Sequence, residues 1–134
     1  MKTVSHEYYV DLEVAKLLKD AGFDWECYEL YECEYEQDGR VHAVTSANWN
    51  SSLKYYSAPT LDVAQRWLRE IKSIHLYVRP ILDERKYVVT VVVDDLIWGQ
   101  VNDNTGTTKR FNTYEEAQEA GIKKAFEIIL EKGK

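Results

Sequence analysis

The chain has 134 residues, 45% hydrophobic and 30% charged, the make-up of a folded globular protein rather than a disordered one. Its net charge of −6 works against binding polyanions. No run approaches the about 18 apolar residues that a membrane span needs.

One domain covering residues 1–134 is expected at this length. Residues 1–7 lack the apolar core of a signal peptide, so a cytoplasmic location is expected. The first helix reads from Asp11 to Ala21. Asp11 can cap it, Leu12, Ala15 and Leu18 with Val14 and Leu17 give an apolar face, and Gly22 ends it. From Trp25 to Gln37 the period becomes two. Trp25, Cys27, Tyr31, Cys33 and Tyr35 share one face, and Glu26, Glu32, Glu34 and Glu36 the other, interrupted by Tyr28 and Leu30. That alternation predicts a half-buried antiparallel strand. Asp38-Gly39 predicts a hairpin turn, with a return strand over 41–46.

Residues 47–56 read as a polar loop with Trp49, Tyr55 and Tyr56 exposed. A second helix follows over 60–72, with Leu61, Ala64, Trp67, Leu68 and Ile71 facing the core and Arg66, Arg69 and Lys72 opposite. Strands at 74–81 and 87–94 are joined by a hairpin at 82–85. Residues 88–93, with Thr90 the one polar member, are nearly apolar on both faces, which marks a central strand. A turn at 102–106 separates short strands at 96–101 and 107–111. The last helix spans 114–131, with Thr113 and Glu116 as a capping box. The order α-ββ-α-ββ(β)-α predicts an α+β domain with one antiparallel sheet and helices packed mainly on one face. Thr60–Gln65 and Thr113–Gln118 begin alike. Cap chemistry accounts for this more simply than an internal duplication.

Tyr55-Tyr56-Ser57-Ala58-Pro59-Thr60-Leu61 with Trp67-Leu68-Arg69-Glu70, Leu12-Glu13-Val14-Ala15-Lys16-Leu17-Leu18, and Thr113-Tyr114-Glu115-Glu116-Ala117 together carry a resemblance. The chain resembles, over nearly its whole length, a family of small uncharacterised proteins of gut Bacteroides-type bacteria and their phages and mobile elements. The acidic strand and residues 95–111 depart from that family's pattern. The resemblance implies a mobile-element setting; that family has no established activity, so no functional residue is carried over.

The residues assemble no recognisable chemistry. Cys27 and Cys33 would lie about 20 Å apart along one strand, against the ~7 Å limit for a disulfide, and read as small buried thiols. His42 and His75 alternate with apolar neighbours, so each is expected to face solvent from a strand, and His6 lies near the start of the chain. Ser46, Ser51, Ser52 and Ser57 carry no nucleophile-elbow motif. There is no phosphate-binding glycine loop, and the 102–106 turn lacks the ligand spacing of a calcium loop. No catalytic, cofactor-binding or metal-binding residue is assigned, and no cofactor is expected.

Two surface features remain. Glu32, Glu34 and Glu36 would project from one strand face about 7 Å apart, the spacing of backbone phosphates, so this face could imitate nucleic acid and occupy a basic groove. Residues 20–39 hold eight acidic residues and no Lys or Arg. The second feature is Arg66, Arg69, Lys72 and Arg79 with the aromatics Trp49, Tyr55 and Tyr56. Direct nucleic-acid binding there is disfavoured by the overall charge. The expected function is that of a non-enzymatic accessory protein of a phage or mobile element, contacting a protein partner through Trp49, Tyr55 and Tyr56. The alternatives are the acidic mimic and a small hydrolase or transferase using a strand histidine. No membrane partner is expected, and an exposed edge strand could pair two copies into a homodimer.

Overall fold

The computed structural model describes residues 2–3, 8–33, 41–93, 96–102 and 105–132. Among these the elements follow in the order β1 (Lys2–Thr3), α1 (Leu12–Asp20), β2 (Cys27–Glu32), β3 (His42–Ala47), β4 (Tyr55–Ser57), α2 (Leu61–Lys72), β5 (Ile74–Ile81), β6 (Lys86–Val93), β7 (Leu96–Gln100) and α3 (Tyr114–Lys132). A 3-10 turn at Trp49–Ser51 lies between β3 and β4. The α+β class expected from the sequence holds. The strands form two antiparallel sheets rather than one, ordered β1-β3-β2-β4 and β5-β6-β7. Alternation assigns a side chain to a face; it does not say which hairpins share a ladder. The chain forms two compact units, Met1–Ala64 and Gln65–Lys134.

In the first unit the Asp11 carboxylate accepts from Val14 N at 2.9 Å and caps α1, burying Val14, Ala15 and Leu18. Gly22 follows with φ 94, a conformation that costs glycine little. β2 lies between its two neighbours, and Leu30 is in register with both His42 of β3 and Ser57 of β4. Leu30, expected on the outer acidic face, is therefore buried beside Tyr31. The register shift between Cys27 and Glu29 breaks strict alternation. Tyr31 Oη donates to Val10 O at 2.6 Å, and residues 8–10 are strapped to the start of α2 by Val10 N to Pro59 O and Leu61 N to Tyr8 O. The hairpin expected at 37–40 lies outside the described residues. β1 and β4 were not legible in the sequence as strands; each is too short to show a period.

Along α2, Leu61, Ala64, Trp67 and Leu68 are buried as expected, whereas Ile71 is 54% exposed. Periodicity assigns Ile71 to a face but does not fix how far along the helix that face is covered.

In the second unit β5 and β6 pair without interruption from Ile74↔Val93 to Ile81↔Lys86, and β6 is the central strand, as expected. α3 packs on this hairpin at very short range. A Cβ added to Gly121 would stand 2.7 Å from Val89 Cγ2, so glycine is needed for the close approach. Thr60 Oγ1 accepts from Val63 N at 3.2 Å and Thr113 Oγ1 from Glu116 N at 3.1 Å. The last residues of the two similar stretches meet directly. Gln118 Nε2 donates to Gln65 Oε1 at 2.8 Å, and Gln65 Nε2 to Leu76 O at 3.2 Å. In the first unit the earliest of the three hairpin strands, β2, is flanked by the two that follow; in the second the middle one, β6, is central. This difference in connectivity confines the likeness to the capped helix starts. No helix among the described residues is long and apolar enough to cross a membrane.

Candidate functional site

Residues 47–56 were expected to be a polar loop. Residues 48–57 form instead a turn and a short strand fixed by side chains that bond backbone groups. Asn48 Oδ1 accepts from Asn50 N at 3.1 Å and opens the 3-10 turn, and Ser51 Oγ donates back to Asn48 O at 2.8 Å. The Asn50 amide spans two further segments: its Nδ2 donates to Phe23 O at 2.9 Å and its Oδ1 accepts from Ser57 N at 2.8 Å. Trp49 Nε1 donates to Cys27 O at 2.9 Å and Thr45 O at 3.1 Å. From the last turn of α1, Lys19 Nζ donates to Ser52 O at 2.7 Å and Tyr55 O at 2.8 Å and stands 5.2 Å from the Tyr56 ring centroid. Backbone bonding adds Cys33 N to Lys54 O at 2.9 Å. Each neutral bond contributes about 1 kcal/mol net, and those from the ammonium about 1.5–3 kcal/mol. Together they hold the loop in one conformation.

The three aromatics expected to be exposed are each half-buried. Trp49 and Tyr55 meet edge to face, 5.6 Å between centroids, and Tyr56 lies beneath Lys16 and Lys19. Trp49 is drawn in by the two hydrogen bonds of its indole N–H, and Tyr55 and Tyr56 by contacts of their rings. The outermost apolar group is one the sequence did not mark. Leu53, at the tip, is 93% exposed. Of the expected acidic row, Glu32 is half-buried at the end of β2, where it pairs with Tyr55, and Glu34 and Glu36 lie outside the described residues.

The titratable groups of the first sheet do not form a reactive set. Cys27 is buried, and burial, with the nearby Glu29 charge, pushes its thiol up to about 12, leaving it a poor nucleophile. Ser57 lies beside that thiol and offsets a smaller part of the rise. Its hydroxyl is fully buried and has no partner at hydrogen-bond geometry. Tyr9 Oη donates to Glu29 Oε1 at 3.0 Å. Burial raises the Glu29 carboxyl, which the Tyr9 bond partly opposes; burial and Glu29 both raise Tyr9. His42 is not turned to solvent as expected: it is half-buried, and its Nδ1 is buried without a partner. His75 belongs to the other sheet, in register with Val92. Ser46 Oγ donates to Glu26 at 3.4 Å, and the remaining loop serines serve the turn or are buried. Cys27 and Cys33 are both free thiols, and Cys33 is half-buried rather than buried. Among the described residues no group of His, Cys, Asp and Glu is arranged to hold a metal.

The cations expected on α2 behave as surface charges. Arg66 pairs with Glu70 at 2.5 Å and Lys72 lies over the Trp67 ring. Comparison with protein-family models, curated proteins and solved structures gives no match for this chain. Asn50 and Lys19 were missed because a single polar side chain has no period to reveal it. Only the Asn-x-Asn spacing of residues 48–50 hinted at a turn.

Proposed function

We propose that the protein is a non-enzymatic binding protein that contacts a protein partner through residues 48–57. The observation that carries this is the fixed loop. A surface already held by Asn50, Trp49 and Lys19 loses little conformational freedom on association, so more of its contact energy is retained as affinity. Leu53 supplies an exposed apolar anchor in the same loop as the half-buried, mutually packed rings of Trp49 and Tyr55, and aromatic and apolar anchors dominate binding energetics. The resemblance to proteins of gut Bacteroides-type bacteria and their mobile elements makes such a cell the natural source of the partner. The test is capture from that lysate by the immobilised chain and by a Leu53→Asp, Tyr55→Ala variant. A protein retained by the first and lost from the second is expected. Equal retention by both, or catalytic turnover in a broad substrate screen, would overturn the proposal.

A second reading is favoured by the distribution of charge. Residues 1–64 contain twelve acidic and five basic residues, a net −7. Glu32, Glu34 and Glu36 would then imitate phosphates for a basic protein groove. Reversing the three charges would abolish retention of the chain on an immobilised basic DNA-binding protein while leaving its circular dichroism unchanged. Undiminished retention would remove this reading.

A further inference from the structure

The second unit carries three adjoining concavities of about 360, 480 and 300 Å³. The first two share Ala120 and Lys123, and the last two share Asn112, so they run together as one trough. On α3 it is lined by Glu116, Glu119, Ala120, Lys123 and Glu127, whose three-and-four spacing defines a single helix face. Ala120, in the middle of that stripe, leaves the room that a larger side chain would fill. Six cations line the trough: Arg85, Lys86, Lys109, Arg110, Lys123 and Lys124. They are half of the twelve basic residues of a unit whose net charge is only +1. Three carboxylates, Glu116, Glu119 and Glu127, stand against them. Arg85 has φ 55, where glycine would be the cheap residue, yet the position carries a guanidinium.

Four of the six cations hold oxygen acceptors, and Lys109 stands 5.4 Å from the Phe111 ring centroid. Arg110 Nε meets Glu84 at 2.8 Å, Lys123 Nζ meets Glu119 at 3.5 Å, Lys124 Nζ meets Glu127 at 3.4 Å, and Lys86 Nζ donates to Asn112 Oδ1. The three ion pairs are a third or more exposed on at least one side, and exposed pairs contribute about 0–1 kcal/mol, so an incoming carboxylate can share or replace them at little cost. From Glu116 to Glu127 the helix rises about 16 Å, the length of about five extended residues. Carboxylates on alternate residues of such a segment would recur about every 7 Å. We infer that the trough is a binding site for an extended acidic peptide segment of a partner protein, distinct from loop 48–57 and independent of its role. A peptide can place neutral residues opposite Glu116, Glu119 and Glu127. A nucleic acid would bring a phosphate to each of them, against a chain of net −6.

Fluorescence anisotropy of the full chain tests this with a labelled alternating Glu-Ser decapeptide, its Lys-Ser counterpart and a thymidine oligonucleotide of matching length. The Glu-Ser peptide is expected to bind, more weakly as salt rises, with the other two bound far less. Lys109→Glu should weaken it about tenfold or more, and Ala120→Phe, which alters no charge, should block it sterically. Arg69→Glu, on exposed α2 surface of the same unit, should leave it nearly unchanged. Near-ultraviolet circular dichroism confirms that each variant is folded. No binding of the Glu-Ser peptide at low salt, an equal loss in Arg69→Glu, or oligonucleotide binding as tight as the peptide's would overturn the site.

Discussion

The two units of this chain solve the same problem with different forces. The second is built on a long β5–β6 hairpin in an unbroken ladder with α3 pressed against it through Gly121. The first has strands of six residues or fewer, and its connections are fixed by individual polar side chains, notably Asn50, Trp49, Lys19 and Tyr31. Charge divides along the same line, −7 in residues 1–64 and +1 in residues 65–134. Packing gives a scaffold that tolerates polar change at its surface. Side-chain-to-backbone bonding gives a shaped loop whose integrity hangs on a few atoms.

The largest expected effect lies on the packing side. Trp67 is 1% exposed, and Trp67→Ala should destabilise the protein by about 3–5 kcal/mol, read from urea denaturation. Next is Asn50→Ala, which strands the Phe23 carbonyl and the Ser57 amide and should cost about 2–3 kcal/mol. A cost well below 1 kcal/mol would erase the distinction between the units. Gly121→Ala should destabilise by about 1–2 kcal/mol: the gain of about 1 kcal/mol in helix propensity is outweighed by overpacking against Val89 and Leu76. Thermal melts that rise for this variant would show that the close approach is not required.

The same contrast explains what could be read in advance. The capped starts at Thr60 and Thr113, the β5–β6 hairpin, the central place of β6 and the buried face of α2 as far as Leu68 were legible, because each rests on a repeating pattern or a cap. The loop was not. Its order comes from Asn50 reaching Phe23, 27 residues away, and Lys19 reaching Ser52, 33 away. Such partners are fixed only once the chain has folded. The burial of Leu30 was illegible for a related reason, since a register shift defeats alternation. The trough on the second unit escaped because its cations come from separate elements and are ordinary one by one.

The smallest expected effect concerns pH. Burial raises the Glu29 carboxyl in the folded state, so the folded protein holds that proton more tightly than the unfolded chain. Stability from this group is therefore present at acidic pH and falls as pH rises from the unfolded carboxyl value through the raised folded one. Glu29→Gln, which keeps an acceptor for Tyr9, should stabilise the protein at neutral pH and have no benefit at acidic pH. Equal effects at both would show that Glu29 is not strained by its burial.

Hydrogen exchange at the Ser57 amide is the sharpest probe of the fixed loop, since that N–H is bonded to the Asn50 side chain. Slow exchange in the native protein, near that of the buried amides of β2, and fast exchange in Asn50→Ala are predicted. Free exchange of Ser57 in the native chain would mean that residues 48–57 are not held in place, and a preformed contact surface would be lost with them.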